Sequence, residues 1–583
     1  MARHRKPFGV SYAITRRPIK PDSVAALAFD TASDEWVLRS CTGVWEAGVG
    51  VDELIPIIAH YKRVWVWEGQ PVNYRIAAVC HLCDIIDDED AELKLTKPGF
   101  TSFQFPARRF VKGARYKTTI RSFRDFVSAP PYNAPERLDE EVEWVCGLLC
   151  TLGLDSTDVY APMEAAQAEF TLYTKDSMGV SPGFFGTDFD EALDGVGGLV
   201  GISDEALGND LSGVDVWDVS SLYPAIASCM PLPTGDAECD YSIDSLDELP
   251  TDGLWLANVI LPDGTSHFVT SVEYPHIADE TTDYSQLSRR RLRDADVQCV
   301  YFYSSVTGLY RDVVDKWYAE KMNSEGIVKE YYKKKMNSFF GSLALRYSKD
   351  KEVAVYRDGY GFDVEVVGRV DHQPGSLFLH QVFIVAYGRA VLSKALADYA
   401  DHVVYYDTDS VHLVGIDPPD VRLEGVPVGD RDDDLGKWTL RDENVTVRYF
   451  GLRRYAIRDG DYAILHTAGY RAPAFLQRGD WNRIEWSALD RQGAVPSSVY
   501  IPGVDSLETH YTKYRLKQLV FPHDLSKFDR ASIHVGGEGI TCKATPDVLV
   551  CDHRPHFESF APLPADEALI RRRRLRLCER AFT

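Results

Sequence analysis

Two carboxylates, Asp407 and Asp409, stand one residue apart in VVYYDTDSVHLVG (residues 403–415), between two apolar runs. A hard divalent cation takes oxygen ligands and tolerates water in its remaining positions, so acids at such a place can hold one. A solvated turn is the competing reading, because Asp is common in turns. A third acid, Asp218 in DVSSLYP, follows an apolar stretch, where its side chain and the Val219 carbonyl can face a neighbouring hairpin tip. A cationic partner lies in KKKMNSFFG: Lys333, Asn337 and Phe340, at i, i+4 and i+7, fall on one helical face. Gly341 follows, and its missing side chain leaves room for a base or a backbone. Taken alone this stretch also reads as a solvated Lys-rich helix. Together the parts meet the needs of nucleotidyl transfer: acids from separate strands for two metals, and a basic helix for a triphosphate.

The elements that must carry these residues can be read from the pattern. Val, Tyr and Leu flank Asp-Thr-Asp as two strands of a hairpin. VDVWDVSSLYPAIASCM reads as a strand ending in a turn that starts a helix. DVVDKWYAEKMNSEGIVKEYYKKKMNSFFGSLAL reads as two helices broken at NSEG. Upstream, VAALAFD, EWVLRSC and RVWVWEG are strand-like and EEVEWVCGLLCTL is helical, which suggests an α/β domain; SPGFFG then reads as a linker.

At 583 residues the chain exceeds one core, and about 100 to 200 residues per domain implies roughly three to five units. Hydrophobic content of 45% with 26% charged residues is that of a globular protein. No run reaches the ~20 apolar residues of a membrane span. The basic N-terminus lacks the apolar core of a secretory signal, and eleven scattered cysteines argue for reduced thiols, so a cytoplasmic protein without membrane contact is expected. Cys80 and Cys83 have zinc-like spacing but no second pair, and read as structural thiols. The net charge of −24 argues against a protein that coats nucleic acid, but not against a local basic groove, for which Lys333 to Lys335, Arg453-Arg454 and the Arg571–Arg580 tail are candidates.

In this order, DVSSLYP, KKKMNSFFG and YYDTDS resemble motifs A, B and C of family B DNA polymerases. DKWYAEKMNSEG before motif B and the modest length are similar to the protein-primed branch of bacteriophages and linear plasmids. The resemblance implies an α/β and α+β multidomain fold, with a ribonuclease H-like exonuclease-type domain followed by a right-hand polymerase of palm, fingers and thumb with insertions. The boundaries it implies are exonuclease-like 1–187, palm 188–235, insertion 236–308, fingers 309–344, second insertion 345–371, palm 372–485, and thumb with basic tail 486–583. It assigns two Mg2+ (or Mn2+) ions to Asp218, Asp409 and the Val219 carbonyl, with Asp407 in support. Tyr223 would stack under the sugar and exclude a 2′-hydroxyl, with Ser221 and Leu222 beside it. Lys321 and Lys333 would contact the triphosphate and Asn337 the nascent pair. Thr408, Phe340, Gly341, Arg453 and Tyr455 would meet DNA or primer, the last two at the positions of a Lys-x-Tyr motif. The partners implied are primer-template DNA, dNTPs and a terminal protein, with a monomer expected, and the insertions would bind the terminal protein and encircle DNA.

The N-terminal domain departs from the family. LAFDTAS keeps Asp30 but has Ala32 where a Glu belongs, Asn73 stands at the second motif's Asp, and Arg137 and Glu141 replace a Tyr and an Asp. Asp84, Asp87 or Asp88 could occupy a displaced ligand position. With too few metal ligands, hydrolysis should fail, so a structural, non-proofreading domain is expected. GVGGLVG keeps the glycines of the interdomain linker motif but lacks its Tyr. Three readings compete: a DNA-primed repair or accessory polymerase, a silent replication scaffold, and a metal-dependent glycosyltransferase using Asp-Thr-Asp. The last leaves Asp218, Tyr223 and the Lys333 helix without a role.

Overall fold

The computed structural model describes residues 23–30, 33–67, 102–105, 118–123, 137–155, 162–180, 182–185, 197–203, 206–277, 288–343, 347–357, 361–372, 377–430, 432–451, 453–460, 462–467, 478–480, 531–536 and 539–544. Asn73, the Cys80 and Cys83 pair, the three acids at 84–88, the basic N-terminus and the Arg-rich tail lie outside them.

The N-terminal unit is a six-stranded sheet of β1 (Val24–Phe29), β2 (Glu35–Ser40), β3 (Trp45–Val49), β4 (Arg63–Val66), β5 (Ser102–Phe105) and β6 (Thr118–Ser122), in the order β3-β2-β1-β4-β6-β5. β1, β4 and β6 are parallel and the remaining pairs antiparallel, the mixed sheet expected of a ribonuclease H-like domain. Val24 to Ala28 are all buried, as a central strand covered on both faces requires. Helix α1 (Val51–Ile58) follows β3, and α2 (Leu138–Thr151) lays Val142, Val145, Cys146 and Leu149 against Val24, Ala26, Ala28 and Trp65. Helix α3 (Pro162–Met178) leads out of this unit and lends Ala166 and Phe170 to the largest core of the molecule.

An eight-stranded sheet carries the acids of DVSSLYP and YYDTDS. Its members are β7 (Val200–Ile202), β8 (Asp210–Val219), β15 (Val403–Asp407), β16 (Ser410–Val414), β17 (Trp438–Gly451), β18 (Arg454–Asp459), β19 (Tyr462–Thr467) and β20 (Arg478–Asp480), in the order β20-β19-β18-β17-β8-β16-β15-β7. Helix α4 (Leu222–Cys229) continues from β8. Between them in sequence stand a four-stranded sheet with its own core and a hairpin. The sheet comprises β9 (Pro231–Asp240), β10 (Leu254–Ile260), β11 (Ser266–Thr270) and β12 (Asp296–Thr307), covered by Leu292 of α5 (Arg289–Arg293). It begins at Pro231, so its first strand starts within the segment read as palm. The hairpin β13 (Tyr347–Arg357) and β14 (Gly361–His372) falls on the second insertion. Helices α6 (Arg311–Met322) and α7 (Gly326–Leu343) break at Asn323–Glu325. Helix α8 (Phe378–Asp398) is buried on every side along Phe378–Gly388 and joins α4, α6 and α7 in one apolar core. A short hairpin, β21 (Ala531–Gly536) with β22 (Gly539–Ala544), lies towards the C-terminal end. Among the described residues no helix is long and apolar enough to cross a membrane.

Candidate active site

Strand register brings the acids together. Asp407 pairs with Ser410, Ser410 with Asp218, and Asp218 with Thr439, so one row crosses β15, β16, β8 and β17. Residues directly opposite share a face, which places Asp407 and Asp218 on the same side with Ser410 between them. Asp409 sits in the turn between β15 and β16, and its carbonyl accepts the Val219 N–H at 2.7 Å. This backbone bond ties the motif A strand to the hairpin tip.

The tip is held in a costly shape. Thr408 adopts φ 58°, Ser221 φ 54° and Arg453 φ 58°, the left-handed region that non-glycine residues rarely enter. Of five such residues among those described, these three border the carboxylates. Thr408 donates its N–H to the Leu199 carbonyl at 2.7 Å and its hydroxyl to Asp407 Oδ1 at 2.8 Å. Arg453 N–H donates to the Tyr405 hydroxyl at 3.0 Å, while its side chain reaches Asp407 Oδ1 at 3.1 Å and Thr408 Oγ1 at 3.3 Å. Beneath lies an aromatic layer of the buried Tyr405, Tyr449 and His412 with the half-buried Tyr455, His412 Nδ1 lying 2.7 Å from the Tyr449 hydroxyl. Burial holds the His412 imidazole near 3, so it packs as a neutral ring.

The three acids differ in their partners. Asp218 Oδ1 accepts from Arg441 at 2.8 and 3.2 Å, and Asp407 from Arg453. Asp409 has neither arginine. Burial first, then the charges of Asp218 and Asp407, push its carboxyl up to about 7. Such a half-buried, under-compensated carboxylate beside two others is a donor set that suits a divalent cation, with the Val219 carbonyl adjacent. Among the described residues no cluster of three or more His, Cys, Asp and Glu side chains is already arranged as a ligand cage. Any metal would therefore be completed by substrate and water oxygens, the ordinary situation for Mg2+.

Cations converge on the same acids from the helices. Lys321 of α6 donates to Ser221 Oγ at 3.0 Å and lies over the Tyr318 ring. Burial, and then repulsion from Lys333, Arg441 and Lys329, lower its ammonium to about 8. The Lys333 charge acts on both Lys321 and Asp409, so α7 brings this ammonium within electrostatic reach of the acids. Tyr223, in α4, feels the charge of Asp409, and burial raises its phenol to about 12. Its ring packs flush against α8, where a Cβ on Gly388 would lie 3.0 Å from Cε1.

The shared face expected of α7 is only partly present. Lys333, Asn337 and Gly341 are exposed, and nothing lies within 4 Å of a Cβ placed on Gly341. Phe340 is buried at 1% exposure against Tyr310 and Phe339. At about 100° per residue it falls about 20° to the other side of Lys333 from Asn337, at the margin of the face, and the large core takes it. Lys335 also leaves the basic cluster: it is buried and bonded to Glu169 at 2.7 Å and Glu320 at 3.2 Å. Val219 and Leu222 point their side chains into the core, so only their backbones can serve the site. Tyr455 is part of the aromatic layer and stacks on His466. In the N-terminal unit Asp30 directly follows β1 and accepts from the Ser33 hydroxyl at 2.7 Å, while Glu141 lies in the first turn of α2. Arg441, Tyr405, Gly388 and Glu169 did not stand out in the sequence. Tyr405 was inside a quoted motif, but the other three carry no local signal.

No protein-family model matches the chain. Its sequence is similar to DNA polymerases of Bacillus phage PZA (31% identity over 119 residues, 20% of this chain and 21% of the relative) and Bacillus phage Nf (31% over 115 residues, 20% of each). These alignments span about a fifth of the curated relatives' length. The fold extends much further. A structure of phi29 DNA polymerase complexed with primer-template DNA and incoming nucleotide substrates matches with a TM-score of 0.57 at 16% identity, covering 75% of this chain and 87% of that one. An orthorhombic crystal form of phi29 DNA polymerase matches with the same TM-score over 79% of this chain and 90% of that one. The chain thus has the multidomain fold of that polymerase.

Proposed function

We propose that this protein is a template-directed DNA polymerase that adds dNTPs to a primer 3′-hydroxyl, in protein-primed, strand-displacing replication of a linear viral or plasmid genome. The observation that carries this reading is the convergence of Asp218, Asp407 and Asp409 on one side of the sheet, with Lys321 and Lys333 brought over them by two successive helices. Asp218, Asp409 and the Val219 carbonyl would hold two Mg2+ or Mn2+ ions, which when bound activate the 3′-hydroxyl and neutralise the departing pyrophosphate. The remaining work falls to side chains. Lys321 and Lys333 bind the triphosphate, Tyr223 supports the sugar from below, and Asn337 and Gly341 present an open surface to the nascent pair. Arg453, braced by Tyr405, lies where the primer strand would pass.

The four-stranded β9–β12 sheet and the β13–β14 hairpin occupy the segments expected to contact the terminal protein and DNA, the proposed partners. Action as a monomer in the host cytoplasm fits this reading. Among the described residues the N-terminal unit keeps Asp30 and Glu141 of the expected ligand positions, and we assign it no proofreading role. Extension of a labelled primer on a single-stranded template with Mg2+ and dNTPs tests the assignment. Wild type should extend, Asp409→Ala should not, and a mismatched 3′ end should persist. Failure of wild type to extend, even with the candidate terminal protein added, would sink it.

A further inference from the structure

Arg441 is the least expected residue at the site. β17 pairs Thr439 with Asp218 and Leu440 with Trp217, and then slips: Asp442, not Arg441, is opposite Val216. Arg441 is the extra residue of a β-bulge, a device that re-aims a side chain. The irregular stretch is braced from the neighbouring strand, where the buried Asp215 accepts the Asn444 N–H at 2.7 Å and Asn444 takes φ 52°. The guanidinium runs back to Asp218 Oδ1 at 2.8 and 3.2 Å and to Ser220 Oγ at 3.2 Å. It thus covers one of the two carboxylates to which the proposed function gives a metal.

We infer that Arg441 is a resident counter-cation that competes with the divalent ion for Asp218 and so sets the metal concentration at which the site fills. The inference rests on the proposed function. The side chain is 49% exposed, and an ion pair so open to water is worth about 0.2–1 kcal/mol. That is enough to keep the guanidinium on Asp218 for part of the time and too little to withstand a cation that engages Asp218 and Asp409 together. Lys321 feels the charges of both Arg441 and Lys333, so a guanidinium released from Asp218 has a like charge beside it.

The test is Mn2+ binding to the full chain without DNA or nucleotide, read as free Mn2+ by electron paramagnetic resonance. Thermal melting is recorded beside it for wild type, Arg441→Gln, Arg441→Lys and Asp218→Asn. Arg441→Gln should bind Mn2+ about two- to fivefold more tightly at low salt, the equivalent of the ion pair lost. Arg441→Lys should stay near wild type, and the gap should narrow as salt screens the pair. Unchanged or weaker binding in Arg441→Gln, with Asp218→Asn still losing the site, overturns the competition alone. Binding in wild type that does not depend on Asp218 overturns both this inference and the metal assignment beneath it, a failure that primer extension retained by Asp218→Asn would mark independently.

Discussion

Asp409 is the carboxylate with most to gain from a cation. Its pKa moves from the usual 3.8 to about 7 because burial and two neighbouring acids disfavour the charge. A raised carboxyl costs nothing below the unfolded value, where both states hold the proton. As pH rises past 3.8 the unfolded chain releases its proton first, and the penalty is complete above about 7. Metal-free Asp409→Asn should therefore melt higher than wild type at pH 8, by up to about 4 kcal/mol, and the advantage should fade towards pH 4. Excess Mg2+ should narrow it at pH 8. Equal melting of the two proteins across that range would contradict the assigned burial. Lys321 gives the converse case. Lowered to about 8, it sheds its proton near working pH. Lys321→Met should raise KM for dNTP several-fold at pH 7, with a smaller ratio at pH 9 where the wild-type lysine is already neutral. A ratio independent of pH would remove Lys321 from the triphosphate.

The hairpin tip depends on an element that contributes no chemistry. The segment before β7 runs beneath Thr408, and a Cβ on Gly198 would stand 2.6 Å from Thr408 Oγ1 and 3.0 Å from its Cα. Gly198→Ala must shift Thr408 by a few tenths of an ångström, and since about 1 Å at a catalytic group costs about 10²-fold in rate, kcat should fall by a smaller but measurable factor. Gly197→Ala meets nothing within 4 Å and should be near neutral, so kcat of the pair separates a packing effect from a loss of flexibility. This contrast shows what the sequence could carry. The strands of the hairpin, the strand-to-helix turn at Ser221 and the break between α6 and α7 were legible because each is written in consecutive residues. Both glycines could be noticed in GVGGLVG, but only the fold tells which one touches Thr408. Arg441 was illegible because its place follows from a bulge in a strand pairing that joins residues more than two hundred positions apart. Phe340 was misplaced because helical spacing gives an angle and not the edge of the core.

At the scale of the whole molecule, a net charge of −24 and a cluster of cations over the site are reconciled by where the charges are fixed. Glu169, on α3 at the exit of the N-terminal unit, accepts from Lys335 at 2.7 Å, Lys316 at 2.8 Å and Trp317 Nε1 at 2.9 Å. One carboxylate thereby fastens both α6 and α7 to α3, and with α7 goes Lys333, which must reach the triphosphate. Burial would push Glu169 up, but Lys335, Lys316 and Trp317 outweigh it and hold the carboxyl at about 2. Its contribution is therefore complete above the usual 4.5 and lost as pH falls through about 2. Lys335 is 3% exposed, so Glu169→Gln leaves a buried ammonium with Glu320 as its remaining carboxylate. Breaking such a pair costs about 3 kcal/mol. The variant should melt lower than wild type at pH 7, with the gap closing below pH 4.5 as wild type loses the same charge. If the linkage also positions the helix, KM for dNTP should rise while Mn2+ binding at Asp218 stays unchanged, because α7 carries Lys333 and no metal ligand. A melting point equal to wild type at pH 7 would show that α3 and the two helices are held by their apolar core alone.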